Sequence, residues 1–188
     1  MIKNVISVFL CAIICLVPTY AEDTVVELKY AKVQFNLETG WEYFKEMMGL
    51  PLVVTGPKSQ SDSRLMISIL PTNKPVPAWD DSKTGMELEF KDYKKGRSDW
   101  ARSRGIVIKD FIAHTKEKWK ALANDVHTAG VSYVAGGKTY LERTYYFKCQ
   151  NQLMNIKILG EEYDFKNKHG VVDKFLNSFS CLTMVDAK

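Results

Sequence analysis

Residues 126–160 read VHTAGVSYVAGGKTYLERTYYFKCQNQLMNIKILG, and a helical pattern closing in FLNSFSC, residues 175–181, follows. Residues 126–135 read as a strand. Gly136-Gly137 is a two-residue hairpin signal. Residues 138–149 alternate: Leu141, Tyr145, Phe147 and Cys149 share one face, and Tyr140, Glu142, Thr144, Tyr146 and Lys148 share the other. Side chains alternate with period two along a strand, so this is a half-buried strand with one aromatic-rich polar face. Gln150-Asn151 makes the next turn, and residues 153–159 pair back with Met154, Ile156 and Ile158 on one face. From roughly 166 to 180, Val172, Phe175, Leu176 and Phe179 form the buried stripe of a helix. The block predicts a meander of three strands, a covering helix and a closing cysteine.

The chain has 188 residues, a length that predicts one domain. Its hydrophobic share of 46% and charged share of 26% are those of a globular protein able to bury a core. The net charge of +4 is mild and both signs are mixed, which argues against a nucleic-acid binder. The first residues read as a secretory signal peptide: Lys3, an apolar run over 5–17, then Pro18-Thr19-Tyr20-Ala21 with cleavage after Ala21. A lipoprotein cysteine at Cys11 or Cys15 and an uncleaved anchor are the rival readings. The run is short for a membrane span, and no second apolar stretch approaches eighteen residues. The expectation is a signal peptide over 1–21, one globular domain over 22–188, no transmembrane segment in the mature chain, and an exported protein, periplasmic or secreted. Cys11 and Cys15 leave with the signal. Cys149 and Cys181 remain, and an oxidising compartment predicts a disulfide between them, with two buried thiols as the rival.

Upstream of the meander, residues 24–37 switch parity near Ala31 and read as two short strands or one bulged strand. Residues 41–48 read as a short amphipathic helix stopped by Gly49 and Pro51. Residues 52–55 and 65–70 (LMISIL) read as strands, the second apolar on both faces and ended by Pro71. Residues 71–85 (PTNKPVPAWDDSKTG) read as a loop. Residues 87–104 read as the main helix, with Phe90, Tyr93, Arg97, Trp100 and Arg104 on one stripe and Gly96 permitting a close approach to the sheet. Residues 106–113 return to strand; residues 114–125 fit either a continuing strand or a short helix.

The stretch KYAKVQFNLETGWE, residues 29–42, resembles the opening of PsbP-like proteins, where such a strand leads into Gly-Trp, here Gly40-Trp41. The later order is also similar: a tryptophan-bearing helix, a meander of long antiparallel strands, a final helix. Thr39 stands where that family usually has proline. The resemblance implies an α/β/α sandwich of α+β type, an antiparallel central sheet covered by helices. That superfamily includes extrinsic photosystem subunits, exported bacterial proteins and a nuclear import factor, and it supplies no shared catalytic motif.

Chemistry is sparse. There is no Gly-x-Ser-x-Gly elbow, and His114, His127 and His169 are the only histidines. None has a second histidine within five residues, so no local zinc pattern appears. Asp80-Asp81-Ser82 resembles the start of a calcium loop, but the glycine and glutamate do not follow at EF-hand spacing. Gly136-Gly137-Lys138 is a hairpin tip, not a phosphate loop. No catalytic, cofactor-binding or metal-ligating residue is expected. The basic residues Lys91, Lys94, Lys95, Arg97, Arg102 and Arg104, with Lys116, Lys118 and Lys120, read as a solvated face or as a patch for an anionic membrane surface or an acidic partner. The recognition candidate is the loop carrying Trp79, Asp80 and Asp81, since tryptophan is enriched at binding hot spots; a lid over a sheet edge is the rival. The expected function is an exported, non-enzymatic binding or accessory protein of the cell envelope with a protein partner. The alternative is a small-molecule or lipid-binding module, or a hydrolase, with a pocket between helix and sheet.

Overall fold

The computed structural model describes residues 23–59, 62–75, 81–119, 121–122 and 125–183. The expected signal peptide lies outside these residues, as do Trp79 and Asp80. The strands are β1 (Asp23–Glu27), β2 (Lys32–Asn36), β3 (Glu42–Met47), β4 (Leu50–Thr55), β5 (Met66–Pro75), β6 (Val107–Lys118), β7 (Asp125–Ala135), β8 (Lys138–Cys149), β9 (Gln152–Glu161) and β10 (Ser180–Leu182); the helices are α1 (Lys83–Ser103), α2 (Glu162–Asn167) and α3 (His169–Ser178). Among the described residues the large antiparallel sheet runs β3-β4-β5-β9-β8-β7-β6, and β1-β2-β10 form a smaller one.

The predicted meander is present. Ala135 pairs with Lys138 across Gly136-Gly137, and Cys149 pairs with Gln152 across Gln150-Asn151. Both glycines have positive φ, the backbone that a tight two-residue hairpin needs. The alternation along β8 is also as read. Its Tyr145 and Phe147 face join Ile67, Ile69, Met154, Ile156 and Ile158 in one core. The small sheet and α3 close that core from outside: Phe179 meets Phe147 edge-on at 5.8 Å, and Phe35 lies 5.2 Å from Phe175. Burying each such ring contributes on the order of 2–3 kcal/mol. The opposite face of the sheet lies under α1, where Trp100 packs edge-on against Tyr133 and Phe90 against Phe111. The result is an α+β fold with a central antiparallel sheet covered on both faces.

Several local readings change. Residues 41–48 contain β3 rather than a helix: Met47 pairs with Leu50 across Met48-Gly49, both at positive φ. Gly49 is a hairpin residue and not a helix cap, because an isolated two-turn helix cannot offset its nucleation cost while a strand here gains the β4 ladder. Pro71 does not end β5, which continues to Pro75. β4 pairs with β5 only as far as Ile69, so beyond it one side of β5 is an edge where a missing N–H costs nothing. The loop expected over 71–85 is correspondingly shorter: α1 starts at Lys83, where the Ser82 hydroxyl caps the Gly85 N–H at 3.1 Å. Residues 24–37 form two strands turned at 28–31. The final helix is two, broken at Lys168, and Cys181 lies past them in β10, paired with Val33. Residues 114–118 continue strand β6, and Trp119 then turns into the core against Tyr145.

Cys149 and Cys181 stand as a disulfide-capable pair with Cα atoms 5.6 Å apart, tying the end of β8 to the small sheet. The chain-entropy estimate for such a bridge is about 3–4 kcal/mol. Alkylation followed by intact mass, with and without reductant, is expected to differ by two blocked thiols per chain. Free thiols in unreduced, oxidised protein would exclude the bridge.

Gly96 does not approach the sheet: a methyl group there meets nothing within 4 Å. At Gly130 a Cβ would stand 2.9 Å from the Glu142 carbonyl oxygen and 3.0 Å from Ile112. Gly96→Ala is expected to stabilise by about 0.5–1 kcal/mol, and Gly130→Ala to destabilise by about 1–3 kcal/mol. Urea denaturation of the two variants checks both signs.

Candidate functional site

Met86, Glu89, Phe90, Tyr93, Arg97 and Trp100 recur at three- and four-residue steps and therefore share the underside of α1. Below them run the odd residues of β7 and the even residues of β8, as their register requires. Glu142 is the most buried charge of this layer. Its carboxylate accepts from Arg97 Nη2 at 2.9 Å, and Lys157 Nζ lies 3.5 Å from its other oxygen. The Arg97 guanidinium also stacks over the Trp100 ring at 3.9 Å. A carboxylate so buried is tolerated only with such partners.

Three further polar residues converge beside this pair. A β-bulge in β6 inserts one residue between Ile112, opposite Gly130, and Thr115, opposite Thr128. The extra residue reverses the parity of the strand, so Phe111 and His114 both face α1. His127 faces it by the ordinary alternation of β7. The His114 and His127 rings lie 5.4 Å apart at 64°. Glu89 Oε2 reaches to 3.4 Å from His114 Nδ1. One ligand-type atom from each of Glu89, His114 and His127 lies within 4.8 Å of the others. Two clefts flank the cluster. One of about 310 Å³ is lined by Tyr93, Tyr146, Ala129 and Leu153 with the cluster itself; the other, about 400 Å³, lies under Met86 and Phe90, with Asp81 at its wall.

Of the three recognition residues expected from the sequence, Trp79 and Asp80 lie outside the described residues. Asp81 is part of this site: one oxygen accepts from Lys116 Nζ, and Oδ1 stands 3.4 Å from His127 Nε2. Ser82 is the N-cap of α1 and not a calcium ligand position of an EF-hand loop. The expected basic patch is partly consumed in internal pairs: Arg97 with Glu142, Lys95 and Arg102 with Asp99, and Lys116 with Asp81 and Asp125. Both clefts lie between α1 and the sheet, where the alternative reading expected a pocket, and both are open to solvent.

Glu89, His114 and His127 were missed because a search for locally spaced ligands cannot see residues brought together from a helix and two strands. The signal was the placement of both histidines at nearly equal distances from the turn near residue 120, legible only once residues 114–118 are read as strand.

A second surface stands apart. β3 is an edge of the large sheet, and all six of its residues are exposed. Tyr43, Phe44 and Met47 project there, followed by Met48, 81% exposed at the hairpin tip. A cleft of about 570 Å³ runs beside it, between Leu28, Lys29, Lys45 and Leu50. Among the described residues no helix is long and apolar enough to cross a membrane.

Burial pushes both imidazole pKa values below the ordinary 6.5; the second histidine adds to this at His114 and Lys116 at His127, while Asp81 pulls the other way at each. The unfolded chain therefore binds protons that the folded chain refuses. Stability is full above pH 6.5 and declines as the pH falls from 6.5 toward the lowered folded values, at up to about 1.4 kcal/mol per pH unit for each ring. Lys116 keeps its charge across that window, its pKa raised by Asp125 and Asp81, and Lys116 holds the Asp125 carboxyl below the usual carboxylate range. Urea midpoints between pH 7.5 and 5.5, in chelator, are expected to fall in the wild type and to flatten in His114→Gln/His127→Gln. An equally steep profile in the double variant would assign the loss to other groups.

No protein-family model matches the chain, and no curated protein matches it by sequence. Solved structures do match by shape. The cyanobacterial PsbP (CyanoP) of Synechocystis sp. PCC 6803 superimposes with a TM-score of 0.52 and 14% identity, over 89% of this chain and 97% of that one. LpqN of Mycobacterium tuberculosis, described as involved in cell envelope biogenesis, gives 0.47 and 11% over 86% and 91%. The Ran-binding protein Mog1p of Saccharomyces cerevisiae gives 0.46 and 12% over 85% and 95%. In fold, and at these identities in fold alone, the chain is PsbP-like.

Proposed function

We propose that the chain is an exported, non-enzymatic binding or accessory protein of a cell envelope. Export is supported by the signal-peptide pattern of residues 1–21 and by a cysteine pair suited to an oxidising compartment. The observation that carries the binding role is the bare β3 edge. Soluble proteins usually blunt such edges with charge, proline or cover, because an unpaired strand invites another chain. β3 carries charge at Glu42, Lys45 and Glu46, yet Tyr43, Phe44, Met47 and Met48 are exposed beside it, side-chain types favoured where proteins meet. The occupant this edge suits is an extended segment of a partner protein added as an outer strand, with its backbone paired to β3 and its side chains in the neighbouring cleft. The segment bearing Trp79, Asp80 and Asp81 is the proposed second contact.

Site-specific photo-crosslinking in intact cells tests this. A crosslinker at Met48 is expected to trap a discrete envelope protein, and Phe44→Glu to reduce that product several-fold. A crosslinker at Lys95, on the outer surface of α1, serves as the control. Equal, diffuse labelling from the two positions would overturn the β3 assignment. Loss of the product in Trp79→Ala, with Phe44→Glu silent, would move the contact to the loop.

A further inference from the structure

We propose that Glu89, His114 and His127 form a binding site for a divalent transition-metal ion of the zinc class. The donor set is two imidazoles and one carboxylate, which suits zinc and its neighbours in the first row; calcium and magnesium favour all-oxygen sites. Zinc bonds of about 2.0–2.2 Å place the ligands of one tetrahedral ion roughly 3.4 Å apart. Glu89 and His114 already stand at 3.4 Å, and the three donors lie within 4.8 Å of one another. The longer donor distances must close from as much as 4.8 Å for one ion to reach all three ligands, and Glu89, one-third exposed on its helix, is the side chain with the most room to move.

The histidines are held as a built site holds them. Their side chains are 8% and 3% exposed, and the bulge in β6 exists at the point where it turns His114 toward His127. Nδ1 is the His114 nitrogen turned toward Glu89, and Nε2, directed away from it, is buried with no hydrogen-bond partner among the described residues. Asp81 beside His127 is placed like the carboxylates that orient metal-ligating imidazoles. Three protein ligands leave a fourth position open, and the cleft lined by Tyr93 and Tyr146 borders the cluster where water or a ligand donor would enter. The site lies under α1, away from β3, so it stands or falls separately from the proposed docking edge.

The test uses tag-free full chain, stripped with chelator and titrated with zinc chloride by calorimetry and with cobalt chloride by visible absorption. The expected result is one ion per chain and a cobalt d–d band. Glu89→Gln, His114→Gln and His127→Gln are each expected to weaken binding by at least about tenfold. His169→Gln is the control, because the exposed His169–Asp173 pair, 2.8 Å apart on one helix turn, is the obvious adventitious site. It is expected to leave the affinity unchanged. Near-UV dichroism reports whether each variant is folded, and Glu89→Gln, which alters a partly exposed side chain without changing its shape, stands as the decisive variant if a histidine variant misfolds. Absence of saturable binding in the wild type would overturn the proposal, as would binding that survives Glu89→Gln and disappears in His169→Gln.

Discussion

Strand β8 has to bury both of its faces, and the alternation of side chains along it makes the two burials different in kind. Tyr145 and Phe147 enter an apolar core that needs only cover, which α3 and the small β1-β2-β10 sheet supply through Phe35, Phe175 and Phe179. Tyr140, Glu142, Thr144 and Tyr146 face the other way. Their cover has to bring polar partners with it, since a buried carboxylate without them costs several kcal/mol. Helix α1 meets that demand by aiming Arg97 at Glu142 and laying Trp100 and Tyr93 around the pair.

The same constraint explains where the unusual chemistry lies. Clefts remain along the flank of α1. The β6 bulge turns His114 into one of them, while regular alternation turns in His127. Burial holds both rings below their ordinary pKa. The apolar side of the sheet holds no comparable cluster among the described residues. The two faces thus divide the work: one carries stability, the other carries the groups able to bind something.

The outer strands complete the picture by their contrast. At the β6 edge, Lys116 and Lys118 carry charge into ion pairs with Asp81 and Asp125, and α1 packs alongside. At the β3 edge exposed Tyr43, Phe44 and Met47 stand among the charged Glu42, Lys45 and Glu46, and Met48 follows at the hairpin tip. One edge is closed and the other is presented.

The meander over 126–161, its two tight turns, the two characters of β8 and the Cys149–Cys181 pairing were legible in the residues alone, because strand alternation and hairpin turns are local properties. The short hairpin at 41–55 was misread, since a glycine at positive φ serves a helix end and a two-residue turn equally well, and only pairing with β4 separates them. The reach of β5 through Pro71 depended on which neighbour stops first, and that is a fact about the sheet. The Glu89, His114 and His127 cluster was illegible for a deeper reason. Its members are 13 and 25 residues apart, on three elements, and one of them faces the site through a bulge that no local pattern announces. Local pattern in the sequence was enough for the strands and turns of the meander and for the apolar core. The tertiary structure alone decided which polar side chains meet beneath α1, because that depends on strand register, and register is set only when the whole sheet is paired.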